Sequence, residues 1–355
     1  MTRWMMNEKE GTMSRKRVCQ GRVGVSVVAG LLVLAISLVG VQPVLAQQAQ
    51  TITLNYATFF PGSHPEWTGF NKGFISKAVE LSKGRLAFRF RGGPETIALV
   101  DLPKATQSGI VDFSINLAGV AETVAPGVGA TILSRISVDD ERKNGTFAYM
   151  DQLCNKGGLH YMGRHSPAFD LQFFQLFLNK KVEKPEDFKK LRIGTATAAR
   201  ALTEGWGAAP VNLQLTDYYT AMERNTVDGV SSSTLSNWVS SGCQAVTKYL
   251  VLPGYLQSSV LIMMNLNTWN KLPPDLQKVI TDAMIYSEKI NGDIWAEDKA
   301  KGTQKLKDAK VEIYNLPPDT AKWLVDTAYD STWAYQLKRF PDVTPRLKSL
   351  LTGGK

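Results

Sequence analysis

The sequence predicts an α/β chain in two lobes that one polypeptide crosses several times. Three observations carry that reading. With the leader set aside, about 309 residues remain, too many for one small core and enough for two lobes. From "TITLNYATFF" to "DFSINLA" the segments alternate β-α-β-α-β, which calls for a sheet with parallel crossovers. The same alternation resumes in the middle of the chain, and a helical pattern dominates from Pro273 onward.

The leader comes first. Arg15, Lys16, Arg17 and Arg22 precede an uncharged apolar run, Val23 to Val41, and "QPVLA" follows, ending at Ala46. Charged, then apolar, then small is the order of a secretory signal peptide, here 1–46 with cleavage after Ala46. A retained membrane anchor is the alternative, because the run nears the length that spans a bilayer. Cys19 precedes the apolar run, so it is not the acylated cysteine of a lipoprotein signal. No later segment is long and apolar enough to span a membrane. The mature chain therefore reads as exported.

Next, "TITLNYATFF" alternates apolar and polar residues as a first strand, and "PGSHPEW" breaks it. Phe70, Phe74, Ile75, Ala78 and Val79 recur at helical spacing until Gly84 stops them. "RLAFRFRGG" is a second strand, and "DLPKATQSGIVDFSINLA" gives a helix, a glycine turn and a third strand. "GLHYMGRHSP" and "LQFFQLFLN" are strand-like; "KPEDFKK" is a helical turn leading into the strand "LRIGT". "ATAARALTEGWG" is helical, "APVNLQL" extended, and "TDYYTAMERNTVDG" an amphipathic helix opened by a Thr/Asp cap. "VSSSTLSNWVSSG" reads as strand end, loop and helix start, and "KYLVLPG" and "SSVLIMMNLNTWNKL" as further strands. The stretch from Pro273 to Ala309 reads as one long or slightly broken helix, with "VEIYNLP" as a late strand. That helix has too narrow an apolar face for a core element throughout, and suits a brace behind both lobes.

Composition excludes several functions. Removing the leader takes away six Lys/Arg and two Glu, lowering the formal charge from +9 to +5. The remaining basic residues are scattered, with no basic run interleaved with aromatics, so nucleic acid is not the partner. Cys154 and Cys243 are too few for a disulfide framework, though they are able to pair in an oxidising compartment. His160 and His165 lack metal-ligand spacing with carboxylates, so no metal or cofactor is expected. Ser231-Ser232-Ser233 follows a strand, but "GVSSS" is not Gly-x-Ser-x-Gly and no histidine lies downstream. "GGPE" lacks phosphate-loop spacing. Asp139-Asp140 and Asp151 show no sign of facing one another. A secreted hydrolase using the serines or an acidic pair stays as the second reading; the chain is expected not to be an enzyme.

The run "LRIGTATAARALTEGWGAAPVNLQLTDYYTAMERNTVDGV" closely resembles the periplasmic solute-binding subunits of TRAP transporters, the DctP-type family. Its carrying elements are the Leu-Arg-Ile strand, Gly207-Ala208-Ala209-Pro210, Tyr218-Tyr219-Thr220-Ala221-Met222 and Val227-Asp228-Gly229. "KPEDFKK", "LVDLPKATQSGIVDFSI" and "TKYLV" fit the same layout, so the resemblance covers essentially all of the mature chain. It implies a two-lobed periplasmic-binding-protein (Venus-flytrap) fold with mixed sheets. Lobe I would hold 47–169 plus about 258–297, and lobe II about 170–257 plus 298–350. It also implies a partner permease in the membrane and a small organic acid as ligand. A ligand-sensing relative that signals through a membrane partner is a further alternative.

In the resembled family an arginine in the Leu-Arg-Ile strand clamps the ligand carboxylate, as a planar guanidinium is suited to do. An ungapped alignment from Asp187 puts Gly194 at that place. Counting back from Gly207-Ala208-Ala209-Pro210 puts Arg192 there, at the cost of a two-residue deletion in a turn, and Arg192 is the expected clamp. The second-arginine position of members binding highly polar acids falls at Phe174, the position after Val-Asp-Gly reads Ser231-Ser232, and Leu215 replaces an aromatic. With Phe59 and Trp238, these imply a monocarboxylate with an apolar or aromatic body. The expected ligand-binding set is thus Arg192, Phe174, Ser232, Leu215, Trp238 and Phe59. Ligand contact with both lobes would favour a closed state that the permease reads.

Overall fold

The computed structural model describes residues 50–60, 65–166, 174–195, 199–233 and 235–354, and the side chains of all of these except 65, 66, 68, 215, 232, 233, 236 and 237. The leader expected at 1–46 lies outside the described residues. Eleven strands are present among them: β1 Ile52–Thr58, β2 Leu86–Phe90, β3 Phe113–Leu117, β4 Leu159–His165, β5 Phe174–Leu178, β6 Arg192–Thr195, β7 Ala209–Asn212, β8 Gly229–Ser233, β9 Tyr249–Leu256, β10 Val260–Asn265 and β11 Glu312–Asn315. They form two mixed sheets, ordered β2-β1-β3-β10-β4 and β11-β9-β5-β8-β6-β7. This is the two-lobed α/β architecture expected from the alternation of elements.

Strand direction positions the site. In the first sheet β1 runs parallel to β2 and β3, while β10 is antiparallel to β3 and β4, with Val260 opposite both Leu117 and His165. The ends of β1 to β4 therefore share one edge with the start of β10. In the second sheet β6 is parallel to β7 and β8, whereas β5 is antiparallel to β8 and β9, pairing Gln175 with Ser233 and Phe174 with Leu256. The start of β5 thus shares an edge with the ends of β6 to β9. Only Gln257, Ser258 and Ser259 separate β9 from β10. Four Cα steps reach at most about 14 Å, so at this crossover the two edges lie close together.

All six residues of β10, "VLIMMN", are buried, as suits a central strand covered on both faces. One face of its sheet packs an aromatic cluster in which Tyr56 and Phe113 stack at 5.0 Å and Phe70 and Phe74 at 5.0 Å. Flanking β4 are α1 (Val138–Lys143) and α2 (Thr146–Lys156). The long helix α3 (Pro274–Asp308) buries a single stripe, Leu276, Ile280, Ala283, Met284, Ser287, Asn291, Trp295, Gly302 and Leu306. Its Ser287 Oγ lies 2.9 Å from His165 Nε2 at the end of β4. Further along, Gly302 abuts Leu235 in the helix after β8: a Cβ there would sit 2.7 Å from that of Leu235.

A second helix, α4 (Pro318–Arg339), also binds both halves, which the sequence reading missed. Trp206 Nε1 donates to its Leu324 carbonyl at 3.0 Å on the second-sheet side. Its Gln336 and Arg339 donate to the buried Glu122 at 2.9 and 2.6 Å, just beyond β3. Burial pushes the Glu122 carboxyl up, and those two donors pull against it. The expected strand "SSVLIMMNLNTWNKL" stops at Asn265, whose Oδ1 accepts from Thr268 N at 3.0 Å and caps a short helix, Leu266–Lys271. Cys154 and Cys243 are both buried and free. Burial pushes the Cys243 thiol up to about 11, which leaves it a packing residue.

Candidate ligand-binding cleft

Open α/β sheets take ligands at the carboxyl ends of their strands, and here two such rows come together at the β9–β10 crossover. On the first row Thr58 ends β1, followed by Phe59, which is half-buried and packs edge-on against Phe60 at 4.7 Å. Arg91 follows β2, exposed, with its backbone N–H on Tyr56 O at 2.8 Å. The chain then turns through Gly92 at φ +126°, where a Cβ would strike Thr96 Oγ1 at 2.0 Å. Gly93 N donates to Glu95 Oε1 at 2.6 Å, so "GGPE" is a self-bonded turn at the cleft rim.

The second row brings together Phe174, Gln175, Thr195, Asn212 and the end of β8. Phe174 is half-buried beside Tyr255, ring centroids 6.5 Å apart. Gln175 is buried with its Oε1 unpartnered among the described residues. Ser231 Oγ and Tyr255 OH are 2.6 Å apart inside the sheet, so this serine hydroxyl serves packing. Of the expected set, Phe59 and Phe174 stand on the two rows, one on each sheet. The side chains of Leu215 and Ser232 lie outside the described residues; their backbones follow β7 and belong to β8.

The structure places two of the expected residues away from these rows. Arg192 is the first residue of β6 and so stands at the edge opposite the strand's carboxyl end. Its side chain is 47% exposed and committed elsewhere: Nε and Nη2 donate to Asp228 at 3.1 and 3.2 Å, and Nη2 also to Asn225 O at 2.8 Å. Burial opposes ionisation of Asp228, but bonds from Arg192 and Lys180 (2.7 Å) hold its carboxyl well below the usual range. Arg192 is therefore a sheet-edge ion pair, and the Asp of "VDG" is its partner. At the cleft end of the strand stands Gly194, as the ungapped alignment has it, packed so that a Cβ would lie 2.6 Å from Leu213 Cδ1. Trp238 is the second. It is fully buried, stacks on Phe177 at 4.1 Å, and donates from Nε1 to Thr247 Oγ1 at 2.8 Å, behind the sheet.

Sequence reading also missed Arg91, Gln175 and Thr195. Only strand direction, combined with the rule that ligands meet carboxyl ends, would have selected them. Among the described residues no group of three His, Cys, Asp or Glu is arranged to hold a metal. The rows offer neutral hydrogen-bonding groups, two aromatic rings and one exposed guanidinium, an arrangement that binds and orients a solute.

The fold is a two-lobed α/β architecture with two mixed sheets. The family model "Bacterial extracellular solute-binding protein, family 7" (DctP) matches residues 170–336. A solute-binding protein of Verminephrobacter eiseniae is 32% identical over 130 residues, 36% of this chain and 38% of the relative. The C4-dicarboxylate-binding periplasmic protein DctP of Rhodobacter capsulatus is 28% identical over 161 residues, 44% of this chain and 47% of the relative. These alignments span less than half the length of either relative. A TRAP periplasmic solute-binding protein from Ochrobactrum anthropi, solved with a C-terminus bound in its ligand-binding pocket, shares the fold at TM-score 0.74 and 22% identity, covering 86% of this chain and 96% of that one. Residues 170–336 thus carry a likeness to DctP-type solute-binding proteins, and the Ochrobactrum structure shares the fold.

Proposed function

We propose that this protein is the extracytoplasmic solute-binding component of a TRAP-type transporter, capturing a small organic carboxylate between two lobes and delivering it to the membrane permease. The observation that supports it most is the pair of strand-end rows brought together at a three-residue crossover, in a fold shared with TRAP solute-binding proteins. The lobes divide as 47–169 plus about 258–297 and about 170–257 plus 298–350, and export follows cleavage after Ala46. The related Rhodobacter protein is named for a C4-dicarboxylate, and the Ochrobactrum structure holds a C-terminus in its pocket, so carboxylate chemistry recurs around this fold.

Within that reading the guest is a monocarboxylate with an apolar or aromatic body. Arg91 supplies the counter-charge in place of Arg192, and Phe59 and Phe174 cover the body from opposite lobes. A guanidinium keeps its charge in a desolvated cleft and offers a carboxylate two parallel donors. A thermal-shift screen of the purified protein against organic acids checks this. Stabilisation by aromatic or branched monocarboxylates is the expected result, and a response only to dicarboxylates or sugar acids contradicts it.

A further inference from the structure

Beside the β9–β10 crossover lies a separate cavity of about 250 Å³, with no lining residue from β1 to β3 or from β6 to β8. Its polar lining is Ser137, Asp139 and Arg142 at and in α1, Arg164 and Ser166 at the end of β4, Gln257 of the three-residue crossover, and Glu288 and Lys289 of α3, with Asp139 tied to Lys143; Gly292, one turn along α3, completes the wall. Both arginines are engaged by buried carboxylates. Arg164 Nε and Nη2 donate to Glu141 at 2.8 and 2.5 Å, and Arg142 Nε and Nη2 donate to Glu288 at 2.6 and 2.8 Å. Glu288 Oε1 also accepts from Arg164 N at 3.2 Å. The carboxylate oxygens are thus already occupied.

The donors are not. Arg164 is 0% exposed, yet its Nη1 has no partner among the described residues. Gln257 is 2% exposed; its Oε1 accepts from Ser166 Oγ at 3.0 Å, while its Nε2 has no partner among the described residues. Two buried donor groups lacking an acceptor line one cavity, where native structures satisfy nearly every such group. A ligand that answers them must bring acceptors only. We propose that this cavity is a binding site for a small carboxylate anion, its oxygens accepting from Arg164 Nη1 and Gln257 Nε2. A carboxylate carries two acceptor oxygens and no donor, and a guanidinium nitrogen makes the stronger, charge-assisted kind of bond to it. The volume suits an anion of a few heavy atoms with companion water, each water taking roughly 30 Å³. Lys289, exposed at the rim, adds a positive charge at the entrance. Because Gln257 belongs to the crossover, occupancy would tie α1 and β4 to the segment joining the sheets.

Calorimetric titration of sodium acetate into the purified protein, at fixed pH and ionic strength, tests the site. The expected result is saturable binding that weakens at least tenfold in Gly292→Leu and in Gln257→Leu. At Gly292 an added Cβ meets nothing within 4 Å, so leucine extends into the cavity without disturbing the ion pairs or the helix. Circular dichroism confirms that both variants fold. Absence of saturable binding to the native protein overturns the proposal. So does unchanged binding in Gly292→Leu, which would place acetate in the cleft. The proposal stands apart from the cleft reading, and either fails without the other.

Discussion

Asp228 shows how a motif residue can be structural. Its carboxylate accepts from Arg192 N at 2.9 Å, from the Arg192 side chain and from Lys180 Nζ, so one buried acid ties together the entry of β6, the chain after β5 and the turn before β8. A carboxyl held below its ordinary range in the folded state adds stability that is complete above the unfolded value, about 3.9, and is lost as pH falls towards the folded one. Replacing it with asparagine is predicted to lower the melting temperature clearly at pH 7. The gap should narrow below about pH 4, where the native protein loses the same contribution. Thermal melts of the two proteins across pH 3 to 8 check this; a gap independent of pH would contradict it. Arg192, expected as the carboxylate clamp, is placed by the structure at this same junction. The letters Leu-Arg-Ile do not say whether the arginine enters or leaves its strand, and only strand direction places it with Asp228.

At the scale of elements, most of the fold was legible because short strands are bounded by glycine, proline or a capping residue, and their apolar periods are clean. β10 and α3 are read correctly from "VLIMMN" and from the spaced apolar stripe after Pro273. The helix Leu235–Ser240 is different. In six residues a tryptophan has no periodic context that separates a core face from a cleft face, and Trp238 turned out to lie in the core. Its stack on Phe177 and its bond to Thr247 join this helix to the second sheet. Trp238→Ala should therefore cost about 3 to 5 kcal/mol of stability, as large-to-small core changes do. Ligand affinity of the folded fraction should stay unchanged. Urea unfolding and calorimetry on the same preparation separate the two effects; lost affinity with intact stability would return Trp238 to the site.

For the whole molecule, two long helices and the short β9–β10 crossover hold two sheets whose carboxyl edges come together. Helix α3 meets the end of β4 through Ser287 and the helix after β8 through Gly302, while α4 reaches Glu122 from the far side. A solute held by both rows would favour the closed arrangement by its differential affinity for it, and closure is what a permease can read. Under the proposed function the counter-charge is Arg91 at the strand-end row, and Arg192 at the opposite edge of the second sheet takes no part in binding. The most direct test is calorimetry of the best-stabilising monocarboxylate against the native protein, Arg91→Ala and Arg192→Ala. The account predicts that Arg91→Ala weakens binding at least tenfold, in line with the loss of one partner from a desolvated charge pair. Arg192→Ala should lower the melting temperature and leave the affinity as it was. Affinity lost in Arg192→Ala and retained in Arg91→Ala would contradict it.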